Sequence, residues 1–220
     1  MKKLLLAALL MLTGISNAQD ENYSEKWKII DSLEVRGLVE SADSRVMEII
    51  SSAKKKKDHL QLIKAKIYHY KFYQVNHENS NQFILDDLNA TIAATPAPYK
   101  NVLLSYKAMM LEQYFQENRW KSRGRTEMDD PDAGSIETWA LSTLQDSIHV
   151  AFESSLKQEK LLISTPALHI EDLLFSIPLN RKYRPTLFDV LAHRALEYYS
   201  NSSNFASVNA EDEFTFNSPE

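Results

Sequence analysis

The sequence predicts an all-α fold of stacked antiparallel helical hairpins, about seven to eight helices in all. Three observations carry that expectation. Apolar residues recur at helical spacing through most of the chain, glycine is scarce at four residues in 220, and the polar breaks between apolar stripes are short except for one. Turns between β-strands spend glycine on sharp reversals, so a chain this poor in it is written for helices.

The first segment in order is a leader. "MKKLLLAALLMLTGISNA" has a basic start at Lys2 and Lys3, an apolar run from Leu4 to Leu12 and a small-residue exit at Ser16-Asn17-Ala18. That order is expected of a signal peptide cut after Ala18, so the mature chain is read as exported, to the periplasm, the outer envelope or the medium. The run is shorter than the roughly 20 residues a membrane crossing takes, and no later stretch comes closer. With no cysteine anywhere, a lipid anchor, disulfides and a thiol nucleophile are all excluded from the reading. Some 200 remaining residues suffice for a core without disulfide staples.

The predicted helical domain spans 19–200. Trp27, Ile30 and Leu33 step along a first short helix that stops at Gly37. Ala42, Val46, Ile49, Ile50 and Ala53 make the clearest stripe, wide enough to pack on two neighbours. Leu60, Ile63, Ile67 and Tyr70 carry a third helix, with Lys64, Lys66 and Lys71 expected in water, until "NHENSN" at 76–81. Ile84, Leu88 and Ile92 carry a fourth as far as "TPAP" at 95–98. A long fifth follows from Tyr99 to Asn118, with Val102, Tyr106, Met109 and Gln113 on one face. These pair as 24–56, 58–93 and 99 onward, in units of roughly 35 residues, which is the size of tetratricopeptide-like repeats stacked into an α-solenoid. One such unit cannot bury its stripe alone and needs its neighbours as walls.

The long polar loop covers about 118–135, and helix returns from Ile136 to Leu156 on Leu141, Leu144, Ile148 and Ala151. A shorter helix is expected near His169–Ser176. The last, in "RPTLFDVLAHRALEYY" at 184–199, opens with Pro185 and a capping box of Thr186 with Asp189. Leu187, Val190, Leu191, Ala195 and Tyr198 form its buried stripe. After Ser200 the tail or linker at 201–220 alternates only weakly.

Composition excludes several functions. The formal charge is −5, and losing the two leader lysines takes it to −7, which argues against a nucleic-acid partner because phosphate binding is driven by Lys and Arg. The one basic run, "KKKK" at 54–57, sits at a predicted helix end, where it complements the helix dipole; the alternative is a contact for an anionic partner or a membrane surface. Asp189, His193 and Glu197 lie at i, i+4 and i+8, which tempts a metal reading. The outer two stand about 12 Å apart along the helix, too far for one ion held at about 2 Å from each ligand, so a carboxylate–imidazole pair is expected instead. "DDPDAG" at 129–134 lacks the spacing of a calcium loop. His59, His69, His77, His149 and His169 form no His-Glu-x-x-His pair, and neither a nucleophile elbow nor a phosphate loop is written. No cofactor, metal or catalytic residue is assigned.

What remains is an interaction surface. The aromatic run "IYHYKFY" at 67–73 is expected to be mostly core, with Tyr68 and Phe72 as candidates for a peptide-binding face. In "NRWKSRGRTE", Arg119, Trp120, Arg123 and Arg125 are the other candidates; the arginines suit a carboxylate ligand or pair with "EMDD" beside them.

Three blocks carry a family likeness: "KWKIIDSLEVRGLVESA" at 26–42, "YFQENRWKSRGRTE" at 114–127 and "PTLFDVLAHRALEYY" at 185–199. Together they resemble the N-terminal helical region of the large alpha-2-macroglobulin-family proteins of Bacteroidetes-type bacteria, and they are spread over nearly all of the mature chain. What the resemblance implies is part of a protease trap, in which a chain of β-domains closes on a protease that cuts its bait, in some members capturing it through a Cys-Gln thioester. This chain has no cysteine and no predicted β-domain, so no trapping residue transfers. The resulting expectation is a non-enzymatic scaffold or interaction module, a truncated or split product whose partners are the remaining macroglobulin domains or envelope proteins. The alternative is an independent tetratricopeptide-like module that binds peptide or protein in the cell envelope.

Overall fold

Helix ends decide how this chain is laid out. The computed structural model describes residues 23–119, 134–173 and 183–201; the expected leader at 1–18, Trp120, Arg123, Arg125, nearly all of "DDPDAG" and the residues beyond Asn201 lie outside them. Helix α1 (Tyr23–Val35) stops where Gly37 takes φ +72°. There the Leu38 amide bonds the Leu33 carbonyl and the Gly37 amide that of Glu34, the paired bonds of a Schellman cap. The chain reverses into α2 (Val39–Lys56) and repeats the device at its end, with Lys57 in the left-handed conformation at φ +57° and the Asp58 amide on the Ala53 carbonyl. Asp58 then caps α3 (His59–Asn76) by accepting from the Gln61 amide at 3.0 Å. One residue after the lysine run, the next helix has begun.

Helices α4 (Asn81–Ala94) and α5 (Tyr99–Asn118) follow, joined through a cis Ala97–Pro98 bond. After a 3-10 turn at Ile136–Thr138 come α6 (Leu141–Ser155) and the short α7 (Glu159–Ser164). A 3-10 segment, Ala167–Leu173, leads on to α8 (Leu187–Ser200) after residues 174–182. Every regular element among the described residues is helical apart from one antiparallel bridge between Pro166 and Thr186. The fold is all-α and built of helical hairpins, as the periodicity predicts.

The closest backbone pairings are α1 with α2, α2 with α3, and α5 with α6. The expected pairing of α1 with α2 forms; α3, expected to pair with α4, lies closest to α2 instead and meets α4 mainly through long side chains. The reason lies in α3, which is apolar on two sides. Ala65 and Phe72 close a cluster with Trp27, Ile30, Val46 and Ile49, whereas Ile63 and Tyr70 face a second with Leu88, Val102 and Leu103. Helix α5 repeats this, sending Leu111 and Phe115 into a third cluster with Leu144, Ile148, Phe152 and Tyr198. Full burial of one such side chain is worth about 1.5–3 kcal/mol, so helices with two apolar faces become the shared walls of the stack. Buried Asn101 ties the start of α5 to the end of α6, donating to the carbonyls of Ser155 at 2.9 Å and Lys157 at 2.8 Å. The last elements return to the stack: the second 3-10 segment packs on α3, and α8 on α5.

Two expectations need correction. Lys66, placed in water by the sequence reading, is 6% exposed. Where a helix is expected near His169–Ser176, the described part, up to Leu173, is a 3-10 segment that begins earlier, at Ala167, and α7, absent from the sequence reading, precedes it; residues 174–176 lie outside the described residues.

Candidate functional site

Helix α8 carries the most tempting residues, and its geometry assigns them to structure. The capping box forms: the Asp189 amide donates to Thr186 Oγ1 at 3.2 Å, and Asp189 Oδ2 accepts from the Thr186 amide at 2.9 Å and its hydroxyl at 2.6 Å. That occupies Asp189. His193 Nδ1 meets Glu197 Oε1 at 3.0 Å, the expected carboxylate–imidazole pair. Its Nε2 receives a hydrogen bond from Arg184; because guanidinium can only donate, Nε2 accepts and Nδ1 carries the proton toward Glu197. Asp189, His193 and Glu197 therefore do not converge, and among the described residues no three His, Asp or Glu side chains gather as metal ligands.

Between α2, α3 and α4 lies an open pocket of about 420 Å³ with Lys54 and Lys57 at its rim and His59, Lys66, Asp87 and Thr91 along its walls. Its floor is a satisfied network. Lys66 Nζ donates to both Asp87 oxygens, at 2.8 and 2.5 Å, and the Tyr70 hydroxyl donates to Oδ2 at 2.6 Å. Burial pushes the Asp87 carboxyl upward, but hydrogen bonds from Lys66 and Tyr70 and the Lys66 charge outweigh it and hold it below the ordinary carboxylate value. The Tyr70 phenol is pushed well above its ordinary value by burial first and by Asp87 second. On the far side of α3, His69 Nδ1 meets Asp43 Oδ1 at 2.7 Å. These groups bind helix to helix.

A second concavity, of about 290 Å³, opens between α3, α5, α8 and the end of the second 3-10 segment. Ile67, Tyr68, Val102, Tyr106, Met109 and Leu173 form its apolar walls. Two cations also line it, and they differ. Lys71 is exposed and paired with Glu34. Arg194 is 8% exposed and makes no hydrogen bond or ion pair among the described residues; its Nε is buried without a partner. Burial lowers the Arg194 pKa and nearby Glu197 opposes that shift, yet guanidinium remains charged in proteins. A buried polar group without a partner costs about 1–3 kcal/mol, and a charged one more. The Tyr106 ring stacks on Tyr70 at 6.4 Å, and its hydroxyl, pushed up to about 12 by burial, has no hydrogen-bond partner among the described residues.

Of the residues picked from sequence, Tyr68 lines this groove, its ring 4.8 Å from that of Trp27. Phe72 offers nothing to a partner: at 1% exposed it belongs to the first cluster, because it sits seven residues from Ala65 on the α3 face turned to α2. Arg119 is half-buried at the end of α5 and away from the groove. Sequence reasoning missed Arg194 and Tyr106 as neighbours. The readable signal was position: Arg194 is three residues after Leu191 and four before Tyr198, inside the apolar stripe of α8. Compared with family models, curated proteins and solved structures, the chain gives no match.

Proposed function

We propose that this protein is a non-enzymatic binding module that takes a peptide segment of a partner protein into the groove between α3, α5 and α8. The observation that carries the reading is the groove itself: aromatic and aliphatic walls drawn from three helices, with one buried charged side chain among them that has no partner among the described residues. Recognition sites combine largely apolar walls with a few polar groups that fix orientation. The groups whose spacing suggested chemistry support the same reading, since Asp189, His193 and Glu197 are engaged with Thr186, Arg184 and one another.

The test is methyl NMR of the full chain titrated with a pool of short apolar peptides. Saturable shifts confined to Ile67, Val102, Met109 and Leu173, and lost in Met109→Asp, are expected. Shifts that are absent, or scattered over other methyl groups, would overturn the reading. We further propose that the chain is exported, which N-terminal sequencing of the secreted form checks by finding Gln19 first. The likeness to the helical region of bacterial alpha-2-macroglobulins fits a scaffold role, with the quoted blocks as its support; an adjacent reading frame for macroglobulin β-domains whose product binds this chain would bear on it directly.

A further inference from the structure

We infer that the groove is a receptor for a peptide's free C-terminus, with Arg194 and the Tyr106 hydroxyl gripping the terminal carboxylate while the last apolar side chain lies against Val102 and Leu173. This rests on the peptide-binding reading above and adds what the site selects.

Arg194 is the starting point. It is buried, it lines the groove, and no carboxylate among the described residues bonds it. Glu197, the acid nearest along α8, gives its oxygen to His193 at 3.0 Å. A guanidinium fork matches a carboxylate with two parallel hydrogen bonds. The Tyr106 hydroxyl, on the same wall, is a third donor, since a phenol is protonated at neutral pH.

The occupant follows from what the groove lacks. Apart from Leu173, its described walls come from α3, α5 and α8, whose backbone groups are bonded within the helices, and no strand edge lines it among the described residues to pair with an extended peptide. An internal segment would bring unpaired amides and carbonyls in from both directions, whereas a chain end brings them from one and delivers the anion itself. The volume, about 290 Å³, is at the bottom of the range for small-molecule sites and suits one or two residues. Because the groove is open, an acyl chain would leave methylenes in water and forfeit their burial.

The experiment measures, on the full chain, the affinity of two fluorescent pentapeptide pools that share every apolar residue at the last position, one ending in a free carboxylate and one amidated. At least a tenfold preference for the acid pool is expected. Arg194→Met should bring the ratio near one with the helical circular dichroism intact, and Tyr106→Phe should cut it a few-fold. Equal affinity for both pools, or a preference that survives in Arg194→Met, overturns this inference and leaves the peptide groove standing; binding of neither pool removes both. Octanoate is the third arm: displacement of the acid pool by octanoate at equal concentration would assign the site to acyl carboxylates and overturn the peptide terminus.

Discussion

Lys66 on α3 and Arg194 on α8 are buried to nearly the same depth, 6% and 8% exposed, but are treated in opposite ways. Lys66 reaches both oxygens of Asp87, which Tyr70 also bonds. Arg194 reaches nothing among the described residues and faces the groove. A charge removed from water costs several kcal/mol unless the protein returns partners for it. Where they are returned, as at Lys66, the charge joins two helices that otherwise make little close backbone contact. Where no described residue returns them, as at Arg194, the free chain carries a cost that the proposed ligand would relieve.

The sharpest way to break the comparison is to make Lys66 resemble Arg194. Asp87→Ala leaves the ammonium buried without its carboxylate, and a loss of about 3 kcal/mol is expected in urea unfolding, as for other broken buried pairs. Lys66→Met with Asp87→Leu and Tyr70→Phe, which removes all three partners together, should recover most of it. The pH profile gives the same answer without mutation of Lys66. The folded Asp87 pKa is depressed, so the pair's contribution is complete above the unfolded carboxylate value near 4 and is lost as pH falls through the folded value. On the alkaline side the raised Tyr70 pKa works in reverse: its contribution holds below the ordinary phenol value near 10 and is lost as pH rises beyond it. The unfolding midpoint should therefore fall more steeply below pH 4 in the native chain than in Asp87→Ala.

The opposite operation is to relieve Arg194. Arg194→Met, of similar length and apolar, should raise the stability of the free chain by about 1–2 kcal/mol, because no partner is orphaned when an unpaired buried charge is removed. Calorimetry of native and variant chains reads this directly. A loss of stability would mean that the guanidinium has an internal partner, and the two cations would then be alike.

Both cations show where sequence reading reaches and where it stops. Helical spacing identified the α2 stripe, and Ala42, Val46, Ile49, Ile50 and Ala53 are all buried. Local chemistry identified the Thr186–Asp189 capping box, which forms. Lys66 stands three residues after Ile63 and four before Tyr70, and Arg194 occupies the equivalent place between Leu191 and Tyr198, so each interrupts a stripe legible in the sequence. Spacing says that such a residue faces inward; it does not say whether a carboxylate will be waiting, because Asp87 comes from another helix 21 residues away. The same limit explains Phe72, whose aromatic character was visible but whose face on α3 depended on where α2 packs. Helix α7 escaped notice because it is six residues long and begins after Gln158 in a left-handed conformation, with no capping side chain.

Lys57 is the third cation that sharpens the contrast, and its effect is the smallest. It is exposed at the rim of the Lys66 pocket, so solvation of its charge is not at issue. Its cost lies in the backbone, since φ +57° places a side chain where a helix terminator usually has glycine. Lys57→Gly relieves the left-handed strain but adds freedom to the unfolded chain, and the balance should stabilise by about 0.5 kcal/mol. Lys57→Ala removes the same charge without relieving the backbone and should give no gain. If the two variants shift the melting temperature equally, the charge rather than the conformation sets the cost, and depth of burial would no longer separate Lys57 from Lys66 and Arg194.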